Sequence, residues 1–259
     1  MEKNMSVEES ANQTGPRRSS VAIKNMFSCV ARRYDLANRV MSLGRDLFWR
    51  EALARRVKAL EGPGRLLDLA AGTGDQIVAV KRLRSAMAAV GLDLSPAMIE
   101  LAAPKFASFP PPIPEMMVGD ALDLPFDENS FDSVSITFGL RNIPARKELF
   151  GEVLRVLKPG GRFLVLEAYH DRHSLWAPVV SFYLNRIVPV IGGRIVSREK
   201  EAYRYLAASI MAFPCPEDLS AEMSDSGFVD LNSLTYTFNS IMLVWGEKPS
   251  AGPSGAGPA

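Results

Sequence analysis

Cysteine and histidine are scarce in this chain, two of each in 259 residues, and the scarcity removes several chemistries at once. Cys29 and Cys215 lie far apart and belong to no Cys-x-x-Cys or Cys/His cluster. Neither a disulfide framework nor a structural metal is expected, and the chain reads as one suited to a reducing compartment. An excess of charge of one sign is missing too. The net charge is +1, without the basic surplus that nucleic-acid binders gather on one face, so no nucleic-acid partner is expected. Arg32-Arg33 and Arg55-Arg56-Val57-Lys58 fall within helical patterns and read as solvated faces. No run reaches the roughly 18 to 20 apolar residues that span a bilayer; the nearest, Trp176 to Gly192, is interrupted by Asn185 and Arg186. The first twenty residues are polar and carry Glu2, Glu8 and Glu9, so they have neither the apolar core of a secretory signal nor the acid-poor character of a transit peptide. Residues 1–20 are expected to be a disordered tail, and so are residues 249–259, which are Gly, Pro, Ser and Ala.

Between these tails, residues 21–248 are long enough for a single domain with a full core. Strand-like apolar runs alternate there with helical periodicity, the signature of a parallel sheet covered on both faces. Strands are predicted at Arg65 to Leu69, Ala88 to Leu92, Met116 to Val118, Ser133 to Phe138 and Arg162 to Glu167, with helices starting near Asp75, Ser95-Pro96 and Pro144. Ser95 is expected to cap its helix with its hydroxyl, with Pro96 in the first turn. Lys158-Pro159-Gly160-Gly161 is expected to end the third helix and turn the chain into its strand. Two further β-rich runs, Val229 to Thr235 and Phe238 to Gly246, are close enough for a hairpin, so the last strand enters antiparallel. The expected fold is α/β: a Rossmann-like sheet of mostly parallel strands with a C-terminal antiparallel strand, as class I methyltransferases use, under a helical lid. Residues 21–60 and 175–213 fall outside the core and are expected over the carboxyl ends of the strands, where ligands of open α/β sheets bind.

Leu66 to Asp75 read Leu-Leu-Asp-Leu-Ala-Ala-Gly-Thr-Gly-Asp, an apolar strand entering a turn of small residues. Ala70, Ala71, Gly72 and Gly74 let a backbone approach a ligand where larger side chains would collide, and Asp93, one strand later, suits the two ribose hydroxyls of a nucleoside. A dinucleotide fold wants a third glycine near position 77, and this chain has Ile77, so the pattern favours S-adenosylmethionine over NAD. Asp68 is expected to orient the turn and to face the methionine part of the cofactor through backbone or water. Thr73 places a hydroxyl and an N–H beside that same end. Asp120, with Ala121 beside it, suits an adenine amino group and the ring above a small side chain. Phe126 to Asp132 reads as a structural polar turn between apolar anchors. After the fourth strand stand Arg141 and Asn142, a guanidinium and an amide, which stabilise an oxyanion; the Asp/Asn-Pro-Pro-aromatic tetrapeptide of nucleic-acid amino-methyltransferases is absent.

Tyr34-Asp35-Leu36-Ala37-Asn38, Val40-Met41-Ser42 with Gly44 and Trp49, Phe138-Gly139-Leu140-Arg141-Asn142, Arg155 to Arg162 ending at Glu167, and Tyr203-Arg204-Tyr205-Leu206 together resemble the ubiquinone/menaquinone biosynthesis C-methyltransferase family, from about Val30 to Gly246. The resemblance implies a class I fold, S-adenosylmethionine as donor, and a reduced polyprenyl quinone as acceptor. It places cofactor contacts on Thr73, Asp93, Asp120, Ala121 and Thr137, and it puts Tyr34, Arg141 and Asn142 near the transferring methyl. The chain departs from the family at Asp46, where a histidine is usual, at Tyr169, where a serine is common, and around Thr235 to Phe238 and Val244; these changes fall on the acceptor half. Arg141 and Asn142 are expected to stabilise a phenolate with Tyr34 in the same network, and Asp46 or His170 stands open as a base. Two rivals carry the same cofactor contacts: a methyltransferase for another small phenol, and a cofactor-binding scaffold without transfer activity. Trp176 to Ile191 offers apolar surface for an isoprenoid tail or the inner face of a membrane, and equally for its own core or a homodimer interface. The expected location is cytoplasmic.

Overall fold

The computed structural model describes residues 35–191 and 200–250. Tyr34, the whole expected N-terminal tail 1–20 and residues 251–259 of the C-terminal tail lie outside them. Seven strands form one sheet in the order β3-β2-β1-β4-β5-β7-β6. At its centre β1 (Arg65–Leu69) runs parallel to β2 (Ala88–Asp93) on one side and β4 (Phe131–Thr137) on the other, with Leu67 opposite Val90 and Val134. β3 (Glu115–Val118) extends the sheet beyond β2, and β5 (Leu157–Ala168) beyond β4, both parallel. β7 (Ile241–Glu247) pairs antiparallel with β5, and β6 (Val229–Tyr236) forms the edge. The strand order reverses between β1 and β4, the switch point at which such sheets bind ligands.

Side chains alternate in a strand, so the central strands feed two cores. Leu67, Leu69, Val134, Phe163 and Val165 pack on one face against Phe150 and Phe228. Leu66, Leu164, Leu166 and Leu243 pack on the other against Trp49, Leu53, Ile77 and Val80. Trp49 and Leu53 come from α2 (Asp46–Ala54), Ile77 and Val80 from α3 (Asp75–Leu83) and Phe150 from α5 (Arg146–Val156), while Phe228 precedes β6. All seven residues of β4 are buried, as a strand covered on both faces requires. The edge strand β6 carries Asp230, Asn232 and Ser233, polar residues that blunt an open edge.

Two expectations need correction. Ser95 makes no side-chain capping bond to α4 (Pro96–Phe106); instead Asp93 Oδ1 accepts the Ser95 N–H at 2.8 Å, an Asx turn that positions the helix entry. Lys158 to Gly161 does not end α5, because Leu157 is already extended and paired with Phe131. The register resumes at Ser133 opposite Arg162, so the four residues bulge from β5 with Gly160 at φ +74°, a conformation glycine adopts without strain.

The covers form a third, smaller cluster. Ala37 from α1 (residues 35–41) meets Leu184 and Val188 and, from α8 (Lys200–Ala212), Ala207 and Ile210. Leu184 lies in a π turn, Tyr183–Ile187, that joins α6 (Ala177–Phe182) to α7 (Val188–Ile191). α9 (Pro216–Asp225) completes the helices and packs on the β6–β7 hairpin. Among the described residues no helix is long and apolar enough to cross a membrane.

Candidate active site

The turn after β1 is held in left-handed backbone at Ala70, Gly72 and Gly74, with φ of 48°, 55° and 78°. A Cβ on Gly74 would stand 2.6 Å from the Phe106 ring, and one on Gly139, after β4, 2.7 Å from the Ala70 Cβ. The two turns beside the switch point therefore touch backbone to side chain, and only glycine fits at either place. Phe138 also has a positive φ, 56°, unusual for a bulky residue.

Asp93 Oδ2 accepts the Gly72 N–H at 2.8 Å while Oδ1 takes that of Ser95. Burial raises its pKa and these two N–H groups oppose the rise; the net shift is upward. Each oxygen keeps a further lone pair, so the carboxylate that fixes the turn also has capacity for two hydroxyls. Asp120 Oδ1 accepts the Leu122 N–H at 3.0 Å beside buried Ala121. Asp68 is wholly enclosed: Ser135 Oγ donates to its Oδ1 at 2.6 Å, and its Oδ2 has no partner. Burial pushes its carboxyl up to about 7, against the Ser135 bond and the Arg50 charge. Thr137, also buried, donates to Gln76 Oε1 at 3.3 Å.

Thr73 lies in a polar network beside this turn. Its hydroxyl donates to Asp35 Oδ1 at 2.6 Å and accepts from Lys105 Nζ at 2.8 Å. Lys105 also reaches Asp35 Oδ2 and Asp75 Oδ1, each at 2.6 Å. Arg39 then bonds Asp75 at 2.9 Å and pairs with Asp46. Burial would raise the Asp75 carboxyl, but Lys105, Arg50 and Arg39 outweigh it and hold it below the usual range. The network ties α1 to the cofactor turn.

A cavity of about 510 Å³ opens beside the ends of β4 and β5. Its walls are mostly apolar and come from the expected covers, Met41, Trp49, Val180, Leu184, Val188 and Ile210 among them, and from Phe138 and the turn between β6 and β7. Arg141 stands on its wall. Arg141 Nη1 donates to Glu167 Oε1 at 2.6 Å and to the Phe138 carbonyl at 2.8 Å, while its backbone N–H reaches Glu167 Oε2. Asn142 is not among the lining residues; its Oδ1 accepts from Tyr205 Oη at 3.1 Å, and Tyr205 is. Of the two candidate bases, Asp46 lines the cavity but accepts from Ser42 at 2.9 Å and faces Arg39 and Arg50. His170 lies off the cavity, its Nε2 against Ser181 Oγ and the Ala177 carbonyl. The sequence assigns no role to Lys105 or Gln76 and marks Glu167 only as the end of a strand and of a family motif. Glu167 ends a strand as Asp68 and Asp93 do, and the same strand-end rule applied to β5 would have found it.

The family model described as the ubiE/COQ5 methyltransferase family matches residues 14–248. The chain belongs to this family. Similar relatives include the ubiquinone/menaquinone biosynthesis C-methyltransferase of Geobacter sulfurreducens, 40% identical over 87% of this chain and 88% of that one. The demethylmenaquinone methyltransferase of Thermus thermophilus is also 40% identical, over 86% of this chain and 100% of its own. Among solved structures, phosphoethanolamine N-methyltransferase 2 of Haemonchus contortus superposes with a TM-score of 0.62 at 15% identity, over 88% of this chain and 60% of that one. A methyltransferase from Thermotoga maritima gives 0.61 at 17%, over 87% and 99%. These likenesses show the class I fold. As a ubiE/COQ5 family member the chain is an S-adenosylmethionine-dependent methyltransferase. The residues present fit that cofactor: a turn too tight for a Cβ at Gly74, a carboxylate fixed at Asp93, and an unpartnered buried oxygen on Asp68.

Proposed function

We propose that this ubiE/COQ5 methyltransferase methylates a ring carbon of a reduced polyprenyl quinone, demethylmenaquinol or a polyprenyl-methoxy-benzoquinol. The observation that carries the reading is the apolar cavity beside β4, with Arg141, paired to Glu167, on its wall. A prenylated aromatic ring needs that combination: apolar walls for its tail and a cation for the oxygen that becomes negative. The names of the relatives support the same acceptor class.

In this reading Asp93 holds the ribose, Asp120 and Ala121 the adenine, and the Gly72–Gly74 turn, Thr73, Thr137 and Asp68 surround the amino-acid end. Bound S-adenosylmethionine supplies a methyl group already activated on a sulfonium sulfur. The protein therefore has to align the acceptor carbon and exclude water. A hydroquinone carbon becomes nucleophilic when a ring hydroxyl loses its proton. Arg141, held in place by Glu167, stabilises the phenolate oxygen. Asn142 acts through Tyr205, and Tyr34 joins the same network. The oxygens of Asp46 are committed to Ser42, Arg39 and Arg50 and His170 is off the cavity, so the proton leaves through water. Residues 21–248 work as one domain, with 21–60 and 175–213 covering the acceptor.

Leu43, 85% exposed, and Val179, also exposed, both line the cavity, and Phe48 on α2, Trp176 at the start of α6 and Phe182 on α6 are exposed apolar side chains of the same covering elements. This exposed apolar surface of the cover, with Arg45 on the cavity wall and Arg172 and Arg186 also exposed, suits a cytoplasmic enzyme that meets the bilayer in which its substrate resides. Vesicles with anionic lipid should carry the protein upward in a density gradient, and Phe182→Glu should abolish this; a soluble dimer without flotation would reassign this surface to a second copy.

Incubation with labelled donor and a panel of reduced demethylquinones, followed by mass analysis, tests the reaction. A methyl on the quinol ring is expected. Methylation of small phenols alone would favour a different acceptor, and tight cofactor binding without product from any acceptor would favour a scaffold.

A further inference from the structure

The cavity beside β4 and β5 has a volume of about 510 Å³, inside the range of about 300 to 1,000 Å³ that encloses a drug-sized molecule. A quinol ring and the start of its chain fill such a space; the rest of a polyprenyl tail has to leave through the wall. Side chains at an exit face both the cavity and the solvent. Among the described residues, those that line the cavity and are exposed are Leu43, Arg45, Val179, Tyr205 and Phe238. Leu43 and Arg45 stand in a turn whose Ser42 and Asp46 also line the cavity, and Tyr205 gives its hydroxyl to Asn142, so these are polar settings for a hydrocarbon chain. Val179 and Phe238 have apolar ones.

Phe238, 52% exposed, lies against the ring of Trp176, 48% exposed, with centroids 4.5 Å apart and planes tilted by 43°. Phe238 belongs to the turn between β6 and β7 and Trp176 to the entry of α6, so the contact joins the hairpin to the cover. Thr237, Phe238 and Asn239 all have left-handed backbone, with φ of 49°, 58° and 55°. Three such residues in a row without glycine are strained. The turn is held by the Ser240 N–H, 3.2 Å from the Tyr236 and Thr237 carbonyls, by the Ser240 hydroxyl on the Thr237 carbonyl at 2.6 Å, and by Thr235 Oγ1 donating to Asn239 Oδ1 at 2.9 Å. It fixes where the Phe238 ring stands. Val179 and Phe182 follow Trp176 at intervals of three, neighbouring positions on one side of a helix, and both are exposed.

We propose that the tail of the acceptor leaves the cavity across the Trp176–Phe238 pair and along Val179 and Phe182, which makes the two rings determinants of specificity for prenylated acceptors over bare rings. This rests on the reading of the acceptor as a prenylated quinol. It gives the strained turn a task, to present an aromatic face where the chain passes.

Steady-state kinetics with two reduced quinones of the same ring test it, one carrying a geranyl chain and the other an ethyl group in its place, in buffer free of lipid and detergent so that no membrane surface contributes. The unaltered chain should have the lower KM for the geranyl acceptor. Phe238→Ala and Trp176→Ala should each raise KM for the geranyl acceptor about threefold to thirtyfold more than for the ethyl one, as expected when a hydrocarbon chain gives up one apolar partner. Trp176→Phe should recover part of the loss. Equal changes with both acceptors would make the pair a structural latch, and an unchanged KM for the geranyl acceptor would put the exit elsewhere; either result overturns the proposal, as would equal KM values in the unaltered chain. Should Phe238→Ala not fold, Trp176→Ala, outside the strained turn, decides by the same ratio. If the unaltered chain methylated neither quinol, the acceptor reading itself would fall, and the exit with it.

Discussion

Arg141 faces the cavity while its partner Glu167 is wholly buried behind it. A guanidinium aimed in this way stabilises an oxyanion that exists only during reaction, and loss of one such group costs about a hundredfold to a thousandfold in turnover. Arg141→Ala should lower kcat by that order with cofactor affinity nearly unchanged; equal loss of both would give Arg141 a structural role. Asp68 makes a second prediction. Its pKa rises on folding from 3.8 to about 7, burial being the main cause. Between those values the folded protein holds a proton that the unfolded chain has released, so this group's contribution to stability falls as pH rises from 3.8 to about 7 and is constant above. The full effect is on the order of 4 kcal/mol. Urea midpoints of ligand-free protein across that range should fall less steeply with rising pH for Asp68→Asn than for the unaltered chain, and parallel curves would contradict the assignment.

Elements are locked by carboxylates as much as by apolar packing. Asp132, at the start of β4, accepts the N–H groups of Leu60 and Arg65 at 2.9 and 2.8 Å and pairs with Lys158 at 3.0 Å. It thereby joins the segment before β1, β1 itself and the bulge of β5. Burial opposes its charge, but these partners prevail and its pKa is lowered, so its stabilisation is present at neutral pH and lost as pH falls through that lowered value. Asp132→Ala leaves two N–H groups without their acceptor and takes the carboxylate from the partly exposed Lys158, and should destabilise by about 1 to 3 kcal/mol, read from urea unfolding at pH 7. In the sequence Asp132 is legible only as part of a polar turn, because nothing local says that β1, the segment before it and the β5 bulge converge on it.

At the scale of the molecule, the cover and the cofactor turn are one network. Lys105 on α4 gathers Asp35, Thr73 and Asp75, and Arg39 continues to Asp46 at the cavity wall. Ordering of the cofactor side is thus coupled to closure of the acceptor side. Lys105→Met should raise amide exchange in residues 35–41 while β1 and β4 stay protected, and unchanged exchange there would uncouple the two. Exposed ion pairs are individually weak; this set matters because it joins α1 of the cover to the cofactor turn and to α4.

Fold class, strand positions and the acids at strand ends followed from the chain alone, since period-2 apolar runs, small-residue turns and strand-end carboxylates are local patterns that burial on two faces imposes. The phenolate-side pair was half legible: Arg141 stood out on its loop, whereas Glu167 gained meaning only when β5 was laid beside β4. The partners of Thr73, the commitment of Asp46 and the unpartnered oxygen of Asp68 belong to tertiary structure. The Thr73 partners stand more than 30 positions away along the chain, and even where partners are close in sequence, as for Asp46, no local pattern encodes which charges are left unmatched once water is removed.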